Sequence, residues 1–426
     1  MISNVKKLIK GSILSKLIIV LMVPVIARIY SPDEIGVAAL FTSAVLIISP
    51  LINLRYCIAI PLPKRDKVVD LIIVICVFLS AFFSLFFLLL TWVVGIEIYN
   101  FLGIGEIYDY RYILIITCFA VSLNESMSMW IVRIKKFEKY SMVLVKQSIL
   151  GSVVKVVTGL LGLGSLGIIL GSVVQNSAGL IQFLNLYLKK RKRIFSFTVK
   201  KVWFTFKYYL NYLYFKFPAH ILYVVSAQLP IIYASKYFNV SDVGQLSLAI
   251  SLISIPVGAV SRSVSKVYFS EMSTIGRQYP QKLYYETKSV LLKLILVGGA
   301  ISLVTFILSP FAFNVVLGDN WIDAGVLSRA LSIGLALQIT ATTLITVLNV
   351  INLNFLSFFI HLIRFALISL SFCFASVFSL NLIESIYIYS FVLLIFYLIV
   401  IVTIMSILKS KSDKKNKSGD LLNENV

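Results

Sequence analysis

Charged residues are scarce in this sequence, at 13% of 426 residues, and Asp and Glu together number only 18. With 59% hydrophobic residues and a mean hydropathy of +0.96, so little charge excludes a soluble domain of this length. Histidine occurs twice and cysteine four times. Cys57, Cys76, Cys118 and Cys373 all lie inside apolar runs without CxxC or Cys/His spacing, which excludes a disulfide framework and a metal site. Also missing are a catalytic triad, a Walker sequence and a carboxylate pair in any loop. No extracytoplasmic loop exceeds about 15 residues, the usual range for plain connections, and the loops are too short for a soluble catalytic domain. The chain reads as a non-enzyme without a cofactor.

What is present is a series of apolar runs, each meeting the roughly 20 residues that a membrane helix needs. Twelve are expected, at 10–30, 34–60, 68–96, 111–133, 141–163, 166–188, 208–237, 242–269, 289–317, 324–350, 354–378 and 382–408. They show no period-two alternation, so strands are excluded and the fold class is an all-α polytopic membrane protein. Lys6, Lys7 and Lys10 precede the first run, but no small-residue cleavage site follows, and it reads as an uncleaved first helix.

The formal charge of +21 would suggest a nucleic-acid surface in a soluble chain. Here its placement explains it. Lys64, Arg65 and Lys67, then Arg133, Lys135, Lys136 and Lys139, the KKRKR run at 189–193, Arg277, Lys282 and Lys288, and the C-terminal KSKSDKKNK all fall on the side of the N-terminus. The opposite loops carry mainly acids, so the positive-inside rule expects both termini to be cytoplasmic and no nucleic acid as partner. The uncharged NVINLN at 349–354 takes its side from span parity alone.

The chain also repeats itself. PVIARIYSPDEIG from Pro24 with Pro50 before Arg55 is matched by PIIYASKYFNVSDVG from Pro230 with Pro256 before Arg262. Ser31, Pro32 and Glu34 form a capping-box signature, and Asn239 with Asp242 a weaker version of it. Six spans per half make the repeat parallel, with residues 1–190 and 208–408 as two six-helix bundles, 191–207 as a basic linker and 409–426 as a basic tail.

Several ionisable residues fall inside spans, where burial is costly. Lys16 and Lys216 lie about 12 Å into the first span of each half by helical rise. With Arg55 and Arg262 they would form a cationic ring open to the cytoplasm if the first two spans of each half line one cavity. Such a ring suits a phosphate or diphosphate. The alternative for Arg55 is snorkelling to headgroups. Glu125, Lys155, His220 and Arg364 fall near mid-span. Glu125 and Lys155 either pair with one another or Glu125 binds a coupling proton or sodium ion. Lys216 with His220, and His361 with Arg364, mark polar helical stripes.

Two further strings carry no such chemistry. GLGSLG at 162–167 matches a dinucleotide-binding string but joins two spans, so its glycines serve a tight hairpin and, with Gly171, close helix packing. The tyrosines of YYLNYLYF at 208–215 read as an interfacial belt.

PVIARIYSPDEIGVAALFTS, LRYCIAIPLPKRDK and LGDNWIDAGVLSRALSIGLALQ resemble the polysaccharide transporter branch of the multidrug/oligosaccharidyl-lipid/polysaccharide (MOP) exporter superfamily, the O-antigen repeat-unit flippases. The resemblance implies a MATE-like fold of two six-helix bundles, a cationic central cavity and alternating access. It implies, too, that an undecaprenyl-diphosphate-linked oligosaccharide is moved across a bacterial inner membrane, from the cytoplasmic to the periplasmic leaflet. Two departures stand out: Cys57 occupies the position after RY where similar proteins often have an acid, and TTLITVLNV lacks the expected proline-serine pair. Rival readings are a multidrug antiporter, a peptidoglycan-precursor flippase, and, of another class, a membrane-embedded polymerase or glycosyltransferase. Spans poor in acids argue against a cation-drug exporter, and short loops against the enzymes. The resemblance leaves open whether other polysaccharide-assembly proteins engage the KKRKR linker.

Overall fold

Lipid offers no partner to a backbone N–H or C=O, so each span must satisfy its own. A computed structural model describes residues 2–93, 95–190, 198–214, 216–351 and 353–423, and among these it is helical throughout, without a strand. The helices are α1 (Ile2–Ile29), α2 (Pro32–Ile52), α3 (Asp66–Val93), α4 (Ile96–Phe101), α5 (Arg111–Arg133), α6 (Phe137–Leu160), α7 (Gly164–Ser177) and α8 (Gly179–Lys190). They continue with α9 (Val199–Leu213), α10 (Lys216–Tyr237), α11 (Val240–Ile275), α12 (Pro280–Leu317), α13 (Ile322–Leu344), α14 (Val347–Val350), α15 (Asn354–Val377) and α16 (Leu382–Asn423). Among the described residues, twelve segments are long and apolar enough to cross a membrane. Every apolar run of the sequence overlaps one of them, and α4, α9 and α14 are separate short helices.

Three boundaries depart from the hydropathy pattern. The second span ends at Ile52, not near residue 60, and a turn at Leu54 and Arg55 leads into a 3-10 segment, Tyr56–Ala59. The seventh begins at Lys216, because the expected run from 208 is divided between α9 and α10. The tenth ends at Leu344, before the separate α14. Of the KKRKR run only Lys189 and Lys190 belong to a described helix; residues 191–193 lie outside the described residues.

The local signals behave as their chemistry requires. Ser31 caps α2: the Glu34 N–H donates to Ser31 Oγ at 3.3 Å, and the Ser31 N–H donates to Glu34 Oε2 at 2.8 Å, with Pro32 in the first turn. At the start of α11 the Asn239 N–H donates to Asp242 Oδ2 at 3.3 Å. Asn381 and Glu384 make a third such box before α16, at 3.1 and 2.9 Å. GLGSLG forms the α6–α7 hairpin, with Gly162 and Gly164 at φ +73° and +55°. The cysteines are unpaired; Cys57, Cys76 and Cys118 are buried and Cys373 is exposed.

The chain forms two compact units, Met1–Ser247 with Val316–Asn320, and Leu248–Val315 with Trp321–Val426. In the first, α1 packs along α6, where Ser15 and Ser148 share a hydrogen bond of 2.6 Å, and α2 is surrounded by α5, α7 and α10. Near its start α2 also meets the first turns of α11. A Cβ on Gly36 would stand 2.1 Å from the Val240 carbonyl oxygen, and one on Gly244 would stand 1.9 Å from that of Pro32. The glycine shared by the two repeats therefore has one cause in both: two helix backbones touch there. In the second unit α13 packs on α16 and α15 on α16, and hydroxyl pairs Ser261–Thr342 (2.8 Å) and Tyr268–Thr287 (2.8 Å) tie α11 to its neighbours.

Since either Cβ would meet a backbone oxygen, Gly36→Val or Gly244→Val should destabilise the detergent-solubilised protein by about 1–3 kcal/mol, with the Ala variants milder. A thermal midpoint for both variants equal to the parent's would contradict the close approach.

Candidate functional site

The break at the end of α2 is made by one amide. Asn53 is fully buried, and its Oδ1 accepts the Arg55 backbone N–H at 2.7 Å while its Nδ2 donates to Glu125 Oε2 at 3.4 Å and points at Cys57 Sγ at 3.9 Å. Side-chain ligation of this kind competes with the helical ladder. Leu54 and Arg55 turn left-handed, at φ 47° and 52°, and the Tyr56 N–H returns to the Asn53 carbonyl at 2.8 Å. Non-glycine residues reach that region only where their surroundings fix them.

The turn aims the Arg55 side chain inward. Its Nη2 lies 3.9 Å from Glu125 Oε1 on α5, and its Nη1 contacts His220 Nε2 on α10. A guanidinium only donates, so in this contact His220 Nε2 is the acceptor. Arg55 Nε is buried without a hydrogen-bond partner. Arg55 and Glu125 keep 22% and 26% of their side-chain surface exposed. The guanidinium is thus held by one carboxylate and one imidazole, with donor capacity left over for an anionic oxygen.

The other sequence-predicted residues are distributed as follows. Lys16 is half-buried near the middle of α1. Lys216 is also half-buried, but it opens α10 and does not lie deep within a span, because the helix starts there. His220, one turn later, is therefore close to a helix end and not at mid-span. The Glu125–Lys155 pair does not form: Lys155 Nζ donates to Gln175 Oε1 at 3.0 Å, while Glu125 takes Asn53 and Arg55. A neutral amide on the neighbouring span satisfies the ammonium where an acid was expected. Arg262 belongs to the second unit, is exposed, and lies over Gly258 in the unbroken α11. Arg364, mid-way along α15, is buried at 6% exposure.

Sequence reasoning missed two residues here. Asn53 is a single amide within an apolar run, and its signal was the amide two residues before an arginine. Asp70, four residues into α3, is 4% exposed and accepts the Tyr187 hydroxyl at 3.0 Å. It resembles an ordinary helix-start acid in sequence.

The model of a family described as polysaccharide biosynthesis protein matches residues 25–326. The chain belongs to that family. Among solved structures it is similar to a multidrug resistance transporter of the MATE family and MOP superfamily in an inward-facing conformation, with TM-score 0.68 and 14% identity, covering 95% of this chain and 94% of that one. It is also similar to the lipid II flippase MurJ in an inward closed conformation, with TM-score 0.62 and 15% identity over 97% and 90% of the chains. A mutant of the Vibrio cholerae MATE transporter VcmN gives TM-score 0.57 and 13% identity over 96% and 94%. No curated protein matches the sequence. At these identities the likeness is one of fold, and it places this member of the polysaccharide biosynthesis family in the MATE-like architecture.

The Arg55–Glu125 contact is partly exposed and long, so a double-mutant cycle with Arg55→Gln and Glu125→Gln should give a coupling energy of about 0.2–1 kcal/mol. Asn53→Leu, which strands a buried backbone N–H, should cost more, about 1–3 kcal/mol. Thermal unfolding of the four cycle members and of the Asn53 variant checks both; an Asn53→Leu protein as stable as the parent would remove the amide from its assigned place.

Proposed function

We propose that this protein is a flippase that moves an undecaprenyl-diphosphate-linked oligosaccharide, an O-antigen or other surface polysaccharide repeat unit, from the cytoplasmic to the periplasmic leaflet of a bacterial inner membrane. Both termini are cytoplasmic in this reading, and alternating access of the two halves carries the cargo. The observation that supports it most directly is Arg55, a guanidinium on a left-handed turn with an unused buried Nε, in a chain of the polysaccharide biosynthesis family.

A diphosphate with hydroxyl-rich sugars cannot enter hydrocarbon unaided, because desolvation is prohibitive. Fixed cations in a wet cavity offset that penalty. Arg55 and Arg262 supply bidentate forks and Lys16 and Lys216 point charges, with His220 beside Arg55. Cargo binding then has a consequence for Glu125. An incoming phosphate competes for Arg55, and Glu125, released from that contact, is the residue that takes the coupling proton or sodium ion. That exchange links cargo to a coupling ion without an organic cofactor.

Deleting the gene in its native host should abolish surface polymer while undecaprenyl-linked units accumulate on the cytoplasmic side. An expressed Arg55→Ala/Arg262→Ala protein should fail to restore polymer, since each lost charge-assisted contact lowers transport by about tenfold or more. Intact polymer in the deletion strain, with no second transporter present, would rule out the flippase. Full rescue by the double variant would remove the two arginines from the cargo path.

A further inference from the structure

The helix α9 stands apart from the spans and is built for a different neighbour. Its Val202, Phe206 and Tyr209 pack onto the buried cluster around Tyr56, Val69, Trp130 and Tyr187. The Tyr56 hydroxyl donates to the carbonyls of Thr205 and Phe206, 3.1 Å from each, and its ring stacks on Phe206 at 5.5 Å. These contacts place α9 against the first turns of α3, at the end of the bundle where Arg133 holds Asp66 at 3.0 Å. Its remaining surface is unusual for a helix at a protein end. At about 100° per residue, Val199, Trp203 and Leu210 fall within roughly 40° of one another, and they are 85%, 65% and 38% exposed. Lys200 and Lys207 line one edge of this stripe, with exposed Phe204, Tyr208 and Lys201 beyond them.

We propose that α9 lies in the plane of the membrane surface, that its occupant is the anionic headgroup layer, and that Tyr56 passes this anchorage to the Arg55 turn. An apolar stripe beside a lysine stripe, with a tryptophan at the boundary, is the pattern of an interfacial helix. The sign of the partner follows from the surroundings. No Asp or Glu occurs between Glu138 and Asp242, and Lys64, Arg65, Lys67, Lys135 and Lys136 are exposed on the neighbouring connections. Each lysine near an anionic leaflet strengthens binding by roughly fivefold. The link inward is short: Tyr56 bonds α9 and is the residue after Arg55.

The test uses the full chain in liposomes of phosphatidylcholine with and without phosphatidylglycerol. The emission lost in Trp203→Phe isolates the Trp203 signal. Expected are quenching of that signal by chain-brominated lipid, protection from aqueous iodide that deepens with phosphatidylglycerol, and loss of this lipid dependence in Lys200→Gln/Lys201→Gln/Lys207→Gln. The native Cys57, fully buried next to Tyr56, reports the link. Its alkylation, located by peptide mass spectrometry, should rise several-fold without phosphatidylglycerol and in Tyr56→Phe. Equal access of iodide in both lipids, or a photo-crosslinker at Phe204 that captures a protein in native membranes, overturns the headgroup assignment. A Cys57 rate that ignores both changes overturns the link. If Trp203→Phe does not fold, a nitroxide on Val199→Cys in a Cys373→Ser background gives the same decision from its depth.

Discussion

Everything near Arg55 follows from one bond, the acceptance of its backbone N–H by the Asn53 side chain. A helix in lipid has no reason to stop, because each broken ladder bond costs several kcal/mol when water is absent. Asn53 removes that penalty by replacing the helical partner with its own carbonyl. Ending α2 there lets the next two residues turn left-handed, carries Arg55 off the helix and starts the 3-10 segment that holds Tyr56. The guanidinium then needs partners in turn, and Glu125 and His220, from two other helices, provide them.

The second repeat shows what happens without that bond. Pro256 sits in α11 as Pro50 sits in α2, yet α11 runs on unbroken to Ile275. Three residues after Pro50 comes Asn53; three residues after Pro256 comes Ala259. Alanine offers no side-chain acceptor, and the helical ladder keeps its N–H groups. Arg262 is consequently a residue on a helix surface, whereas Arg55 is a residue on a turn. The two halves share their close backbone contacts, as at Gly36 and Gly244, and differ in the arginine that each presents.

The spans were legible in the sequence because hydrocarbon thickness sets their length and hydropathy records it directly. So was the Ser31 box, whose residues are adjacent. The end of α2 was not, since Asn53 is outweighed by Leu51, Ile52, Tyr56 and Ile58 in any averaged window. The Glu125 partner was hidden for another reason. Charge pairing between consecutive spans points to Lys155, but Gln175 takes that lysine, and an uncharged partner leaves no trace in a search for opposite charges. Likewise α9 merged with the seventh span because its aromatics count as apolar while its lysines look like a linker.

Arg55 is held by Asn53 at its backbone N–H and by Glu125 and His220 at its guanidinium, which has a consequence for energetics. A buried arginine with a single strong carboxylate partner would be slow to yield to a phosphate, because the acid left behind would be stranded without water. Here the carboxylate stays 3.9 Å away, keeps a quarter of its surface exposed, and has a second partner in Asn53 Nδ2 at 3.4 Å. His220 meets the guanidinium through a ring nitrogen and brings no carboxylate charge to it, so the positive charge remains available to an arriving anion. In the proposed cycle the same features let the arginine change partners at low cost in either direction. A site that releases its cargo on the far leaflet needs that more than it needs tight binding, since a charge bound too firmly would end the cycle at its first step.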